Sequence, residues 1–177
     1  MSLLSSSGLR VVALNGSPAQ PSRSRALAER ALALAGGGRL VDLADLDPAA
    51  LLALASDPGV EEVRDAVAAS DVLIVATPIY RATYTALTKT IFDLLPMGAL
   101  EGTVAVPIAS GYGPDHSLSV DHGLRPLIAS LGGWTTATGV YAARADVADD
   151  GTIAEAVEAR LAAAVTEALT LATALQG

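Results

Sequence analysis

Cysteine is absent from this 177-residue chain, which rules out disulfides, iron–sulfur clusters and thiol catalysis. Histidine is nearly absent: His116 and His122 are the only two, too few for a catalytic zinc site, so no metal is expected. Aromatic residues make up 3% of the chain, so each ring is worth locating. An excess of positive charge is also missing. A net charge of −8 argues against nucleic acid as partner, because a phosphate backbone needs compensating Lys and Arg. No apolar run is long enough to span a bilayer, and residues 1–10 lack the charged start and long apolar stretch of a signal peptide. The expectation is a cytoplasmic protein without membrane contact. What is abundant is aliphatic. Hydrophobic residues reach 51%, mostly Ala, Leu and Val, enough at this length for one domain over 1–177 with a substantial core. Residues 1–8 read as a flexible N-terminal extension.

The chain is organised around residues 9–35. Residues 9–14 (LRVVAL) form a short apolar run rich in β-branched side chains and read as a buried strand. Asn15-Gly16-Ser17-Pro18 breaks it, and Ala26, Leu27, Arg30, Ala31 and Leu34 then recur at helical spacing. Ser17, Ser22, Arg23, Ser24 and Arg25 lie between the two. A loop entering a helix N-terminus leaves backbone N–H groups unpaired, and hydroxyls with a guanidinium beside them suit a phosphate. The same residues also fit an ordinary turn with Ser24 as helix N-cap. The loop is neither a Gly-Lys-Ser/Thr P-loop nor a G-x-G-x-x-G turn.

Further strands are expected at 39–43, 71–77 (DVLIVAT), 103–109 and 134–141, and helices at 59–70, 84–95, 116–131 and 152–175. A helical turn or two is expected within 48–55, and Gly36-Gly37-Gly38 is expected to end the first helix. Pro107 in the fourth strand suggests a bulge or a strand end. Alternation of near-continuous apolar strands with helices implies a five-stranded parallel sheet covered on both faces, doubly wound in the order 2-1-3-4-5. Ligands of such sheets sit outside the carboxyl ends of the strands. Three loops meet there: 15–24, 77–84 and 110–116. The first offers anion donors, the second Tyr80 and a turn able to present backbone groups to a planar ring, the third glycines permitting close approach. Together they suggest a mononucleotide, and FMN is the usual tenant of this topology.

The motifs Gly16-Ser17-Pro18 with Pro21-Ser22-Arg23-Ser24, then TPIYRATYTALTKTIFDLLP (77–96) with ALEG (99–102), and VDHGLRPLIASL (120–131) resemble those of the NADPH-dependent FMN reductases. That family is flavodoxin-like, and the likeness is strongest to the branch serving two-component alkanesulfonate monooxygenases. It spans residues 10 to about 142. It implies that Ser17, Ser22, Arg23 and Ser24 hold the FMN phosphate, and that Thr77, Pro78, Ile79 and Tyr80 with Ser110, Gly111, Tyr112 and Gly113 flank the isoalloxazine. Arg81, where the branch often carries Lys, and His116 are candidates for contact with NADPH or NADH. The third loop, Ser110-Gly111-Tyr112, departs from the Thr-Gly-Gly common in the branch. Hydride transfer between stacked rings needs no side-chain nucleophile.

In the same branch the fourth helix carries a one-residue π-type insertion at a tetramer interface, and His122 falls on that position as a possible helper. The residues themselves point the same way: Pro126 inside a helix would clash with the carbonyl of residue 122 and remove one hydrogen bond. The resemblance thus implies an NAD(P)H-dependent FMN reductase that supplies reduced FMN to a partner monooxygenase and assembles as a homodimer or tetramer through 116–131. The competing readings are a reductase that keeps its FMN and reduces quinones, azo dyes or metal oxyanions, a flavodoxin-type electron carrier, and a non-catalytic FMN-binding protein.

Overall fold

The computed structural model describes residues 8–176, so the extension expected over 1–8 lies outside the described residues apart from Gly8. A parallel sheet runs through the middle: β1 (Val11–Asn15), β2 (Arg39–Asp42), β3 (Val72–Pro78), β4 (Val104–Gly111), β5 (Trp134–Thr135) and β6 (Val140–Ala143). The order is β2-β1-β3-β4-β5, with β6 also pairing β4. Around it lie α1 (Arg23–Leu34), α2 (Pro48–Leu51), α3 (Pro58–Ala68), α4 (Ala86–Asp93), α5 (Arg125–Ala129) and α6 (Glu155–Gln176). The flavodoxin-like, doubly wound arrangement expected from the sequence is present.

Strand alternation divides the core in two. Val11 and Ala13 of β1, with Ile74 of β3 and Val106 of β4, face α1 and α6 through Leu27, Ala31, Leu161 and Ala168. Val12, Leu14, Leu73 and Val75 face the other way, against Leu51, Val63, Phe92 and Ile128. Residues 72–76 have no accessible surface, as a central strand covered on both faces requires. The first helix ends on the glycines as expected. Gly36 takes φ +80°, a conformation open to glycine, while Gly37 N–H donates back to the Leu32 carbonyl at 2.9 Å.

Two expectations about the sheet are corrected. The strand expected over 134–141 is split into β5 and β6, so among the described residues the sheet has six strands. Past the Thr136 N–H, which still donates to the Ala105 carbonyl of β4 at 3.0 Å, the backbone between them is held by side chains. Arg125 donates to the Thr136 and Ala137 carbonyls, Arg160 to that of Gly139, and Glu167 accepts from the N–H groups of Ala137 and Thr138. Burial pushes the Glu167 carboxyl up, but these two N–H donors, the Thr138 side chain and the nearby charge of Arg125 together leave its pKa lowered.

Pro107 is neither a bulge nor an end: it pairs with Val75 in mid-strand. Val104 N–H donates towards β3, so alternation turns residue 107 towards the other neighbour. There β5 has ended at the partner of Ala105 and β6 begins at the partner of Ile108. The N–H that proline lacks would have faced the gap.

The helix expected over 116–131 is also broken into pieces. A 3₁₀ turn (Pro114–His116) leads to a π-helical stretch (Val120–Leu124) and then α5. His122 sits in the middle of the π stretch, where Pro126 denies the regular hydrogen bond.

Candidate functional site

At the carboxyl end of the sheet the loops after β1, β3 and β4 enclose a cleft of about 400 Å³, within the range of about 300–1,000 Å³ typical of small-molecule sites. It is lined by Ser17, Ala19, Pro21, Ser22, Arg23 and Ser24 from the first loop and by Pro78, Ile79 and Tyr80 from the second. Ser110, Gly111 and Tyr112 from the third loop and Arg144 beyond β6 complete it. Among the described residues, two arginines and no carboxylate line this cleft in a chain of net charge −8.

The first loop is fixed by Asn15, which is fully buried. Its side-chain oxygen accepts from Ser24 Oγ at 2.8 Å and from Ser17 N–H at 3.3 Å. Its amide donates to Asp42 at 2.7 Å, and Asp42 in turn accepts from Arg25 Nε at 2.9 Å. This corrects the helix start: Ser22, not Ser24, caps α1, accepting from Arg25 N–H. Ser24 is two residues inside the helix, with its hydroxyl committed to Asn15. The N–H groups of Arg23 and Ser24 belong to the first turn, which has no intrahelical acceptors. They and the helix dipole favour an anion there. Arg25, tied to Asp42 and Glu29, is a strut of the loop.

Gly16 lets the loop lie against the threonines that begin α4. A Cβ there would clash with Thr88 Oγ1 and crowd Thr77 and Thr85. Thr85 caps α4 and donates to the Gly16 carbonyl at 2.6 Å, and Thr88 donates to Thr77 Oγ1 at 2.9 Å. Thr77, expected at the ring, is fully buried in this cluster and ties the first loop to the second. Ile79 N–H donates to the Ser110 carbonyl at 2.7 Å, joining the second loop to the third. Beyond it, Tyr80 and Thr83 bracket a two-residue turn in which Arg81 and Ala82 have φ +53° and +70°. Holding two non-glycine residues there costs about 1–2 kcal/mol each and sets Tyr80 at the cleft wall, 49% exposed.

In the third loop a Cβ on Gly111 would collide with the Tyr141 hydroxyl, which donates to the Gly113 carbonyl. Burial first, then Asp115 and Asp146, raise the Tyr141 pKa, keeping the phenol a neutral donor. Gly113 therefore shapes the loop without lining the cleft. Arg81, His116 and His122 also lie outside the lining. His116 has a buried Nδ1 without a partner among the described residues, and His122 is exposed. Arg144 was not among the sequence candidates. It follows β6, whose start is invisible within the 134–141 run, and no motif marks it.

The parallel sheet with a helix N-terminus at its switch point is the architecture shared by mononucleotide-binding α/β proteins. Comparison with known proteins sharpens that class. The NADPH-dependent FMN reductase family matches residues 9–147. An "NADH-dependent FMN reductase SfnF" of Pseudomonas fluorescens is 37% identical over 92% of this chain and 91% of its own. An "FMN reductase (NADPH)" of Escherichia coli is 38% identical over 80% and 76%. The solved apo structure of an NADH:FMN oxidoreductase superposes with TM-score 0.82 at 38% identity, covering 90% of this chain and 88% of that one. The chain belongs to the NADPH-dependent FMN reductase family. It is an NAD(P)H-dependent oxidoreductase of FMN.

Proposed function

We propose that the cleft at the α1 N-terminus binds FMN by its phosphate, and that the protein supplies reduced FMN to a flavin-dependent monooxygenase. The support is chemical: in an acidic chain the cleft is lined by Arg23 and Arg144 and, among the described residues, by no carboxylate. Ser17, Ser22, Arg23 and the first N–H groups of α1 fit a phosphate monoester. Pro78, Ile79, Tyr80 and the 110–112 loop offer an apolar and backbone-rich wall for a flat ring. Bound there, FMN supplies the hydride acceptor. The protein's part is to hold the ring's partner in position, and Arg144 in the lining and Arg81 on the adjoining turn provide charge for a nicotinamide nucleotide. No side-chain nucleophile is required.

Release, as opposed to retention, is supported by the openness of the site: Tyr80 is 49% and Tyr112 78% exposed. The relatives named for NADH-dependent and NADPH-dependent reduction leave both nucleotides as donors to be compared. The protein is further proposed to work in the cytoplasm as a single-domain subunit of a homodimer or tetramer, with residues 116–131 at the contact. Among the described residues no helix is long and apolar enough to cross a membrane. The test is NADPH and NADH oxidation with FMN, FAD and riboflavin, followed by ultrafiltration. Turnover of FMN in excess over enzyme, with the flavin in the filtrate, is expected. Flavin that stays with the protein while a quinone is consumed would contradict release.

A further inference from the structure

The guanidinium of Arg23 is already partly engaged. Nε donates to the Val147 carbonyl at 2.9 Å, and Nη2 donates to Asp149 Oδ1 at 2.6 Å. Nη1 has no partner among the described residues, while Arg23 lines the cleft. Val147 and Asp149 follow the 3₁₀ turn after β6, more than 120 residues along the chain from Arg23. The segment is itself braced: Val147 is buried and bridges Ile153, and Ala148 N–H donates to the Thr152 carbonyl at 2.9 Å. A second cavity of about 210 Å³ is lined by Pro21, Ser22 and Arg23 together with residues 147–151. Arg23 thus borders both the cleft and that cavity while bonded to Val147 and Asp149.

We propose that Asp149 is a positioning residue for phosphate recognition. With the Val147 carbonyl it takes Nε and Nη2 of Arg23, so that Nη1 is presented to the FMN phosphate in a fixed orientation. An arginine with this many rotatable bonds loses considerable freedom when it binds an anion, and restraining it beforehand removes that cost from the binding step. The Asp149 carboxylate is 87% exposed, so water and salt weaken its repulsion of a nearby phosphate while its hydrogen bond still orients the guanidinium. The inference rests on the proposed FMN site.

Dissociation constants for FMN and riboflavin, read from flavin fluorescence on the full chain, test it. Wild type is expected to prefer FMN clearly. Asp149→Ala is expected to lose about three- to tenfold of that preference, all of it from FMN. Asp149→Asn, which keeps an oxygen acceptor without the charge, is expected to retain most of it. A preference unchanged in Asp149→Ala, or increased in both variants, overturns the positioning role while leaving the phosphate site intact. Equal affinity of wild type for the two flavins removes the phosphate site and this role together. Thermal melting of the variants should match wild type, given the exposure of Asp149, so a change in flavin preference is not an effect of unfolding.

Discussion

Asn15 and Ser24 are joined by a buried 2.8 Å hydrogen bond between side chains, and this bond locks the end of β1 to the start of α1. The same Asn15 side chain holds Ser17 N–H and Asp42. Asn15→Ala leaves all three without that partner. Loss of about 1–3 kcal/mol is expected, seen as a lower denaturant midpoint, together with weaker FMN binding. An unchanged midpoint would show that the loop is held by other contacts.

Gly16 presses on the threonine cluster that ties two of the cleft loops together. Gly16→Ala should cost about 1–3 kcal/mol through overpacking. Trimming the nearest obstacle in a Gly16→Ala, Thr88→Ala double variant should recover part of the loss. Chemical denaturation of the four-member cycle measures the coupling, and strictly additive losses would mean that the methyl group does not meet Thr88.

Much of this architecture is legible in the sequence because it follows from periodicity. The β-branched run 72–75 and the helical repeat after Ser24 both announce themselves. What stays hidden depends on partners distant along the chain. Ser22 and Ser24 are equally good caps until Asn15 claims Ser24. Thr77 reads as a cleft residue until Thr85 and Thr88 surround it. The break between β5 and β6 is made by Arg125, Arg160 and Glu167, none of them within the 134–141 run. That break also explains the tolerance of Pro107. The π stretch is legible, since Pro126 removes the regular hydrogen bond to the carbonyl of residue 122.

At the opposite end of the sheet Asp71 accepts from Arg10 N–H at 2.7 Å, Nε at 3.1 Å and Nη2 at 2.6 Å. Burial raises the Asp71 pKa, but the Arg10 hydrogen bonds outweigh it and the net shift is downward. A folded-state pKa below the unfolded one stabilises the chain fully above the ordinary carboxylate value of about 4. The contribution disappears as pH falls through the lowered folded value. Asp71→Asn should therefore cost about 1–2 kcal/mol at pH 7, Arg10 being half exposed, and the gap to wild type should close in melts run at progressively lower acidic pH. A gap that stays constant down to low pH would contradict the assignment.

His122 is exposed on the π stretch, so His122→Ala should leave the fold of the single subunit intact. If this face joins subunits, the variant should shift from tetramer towards dimer by sedimentation or light scattering, and the fraction of FMN co-purifying should rise. Mass and flavin content both equal to wild type would remove residue 122 from the assembly.

The phosphate site at the α1 N-terminus is tested most directly by Arg23→Ala, with FMN and riboflavin affinities measured side by side. A charge-assisted hydrogen bond contributes about 1.5–3 kcal/mol, so FMN should weaken roughly ten- to a hundredfold while riboflavin, which lacks the phosphate, barely changes. Equal losses for the two flavins, or none for FMN, would contradict the site.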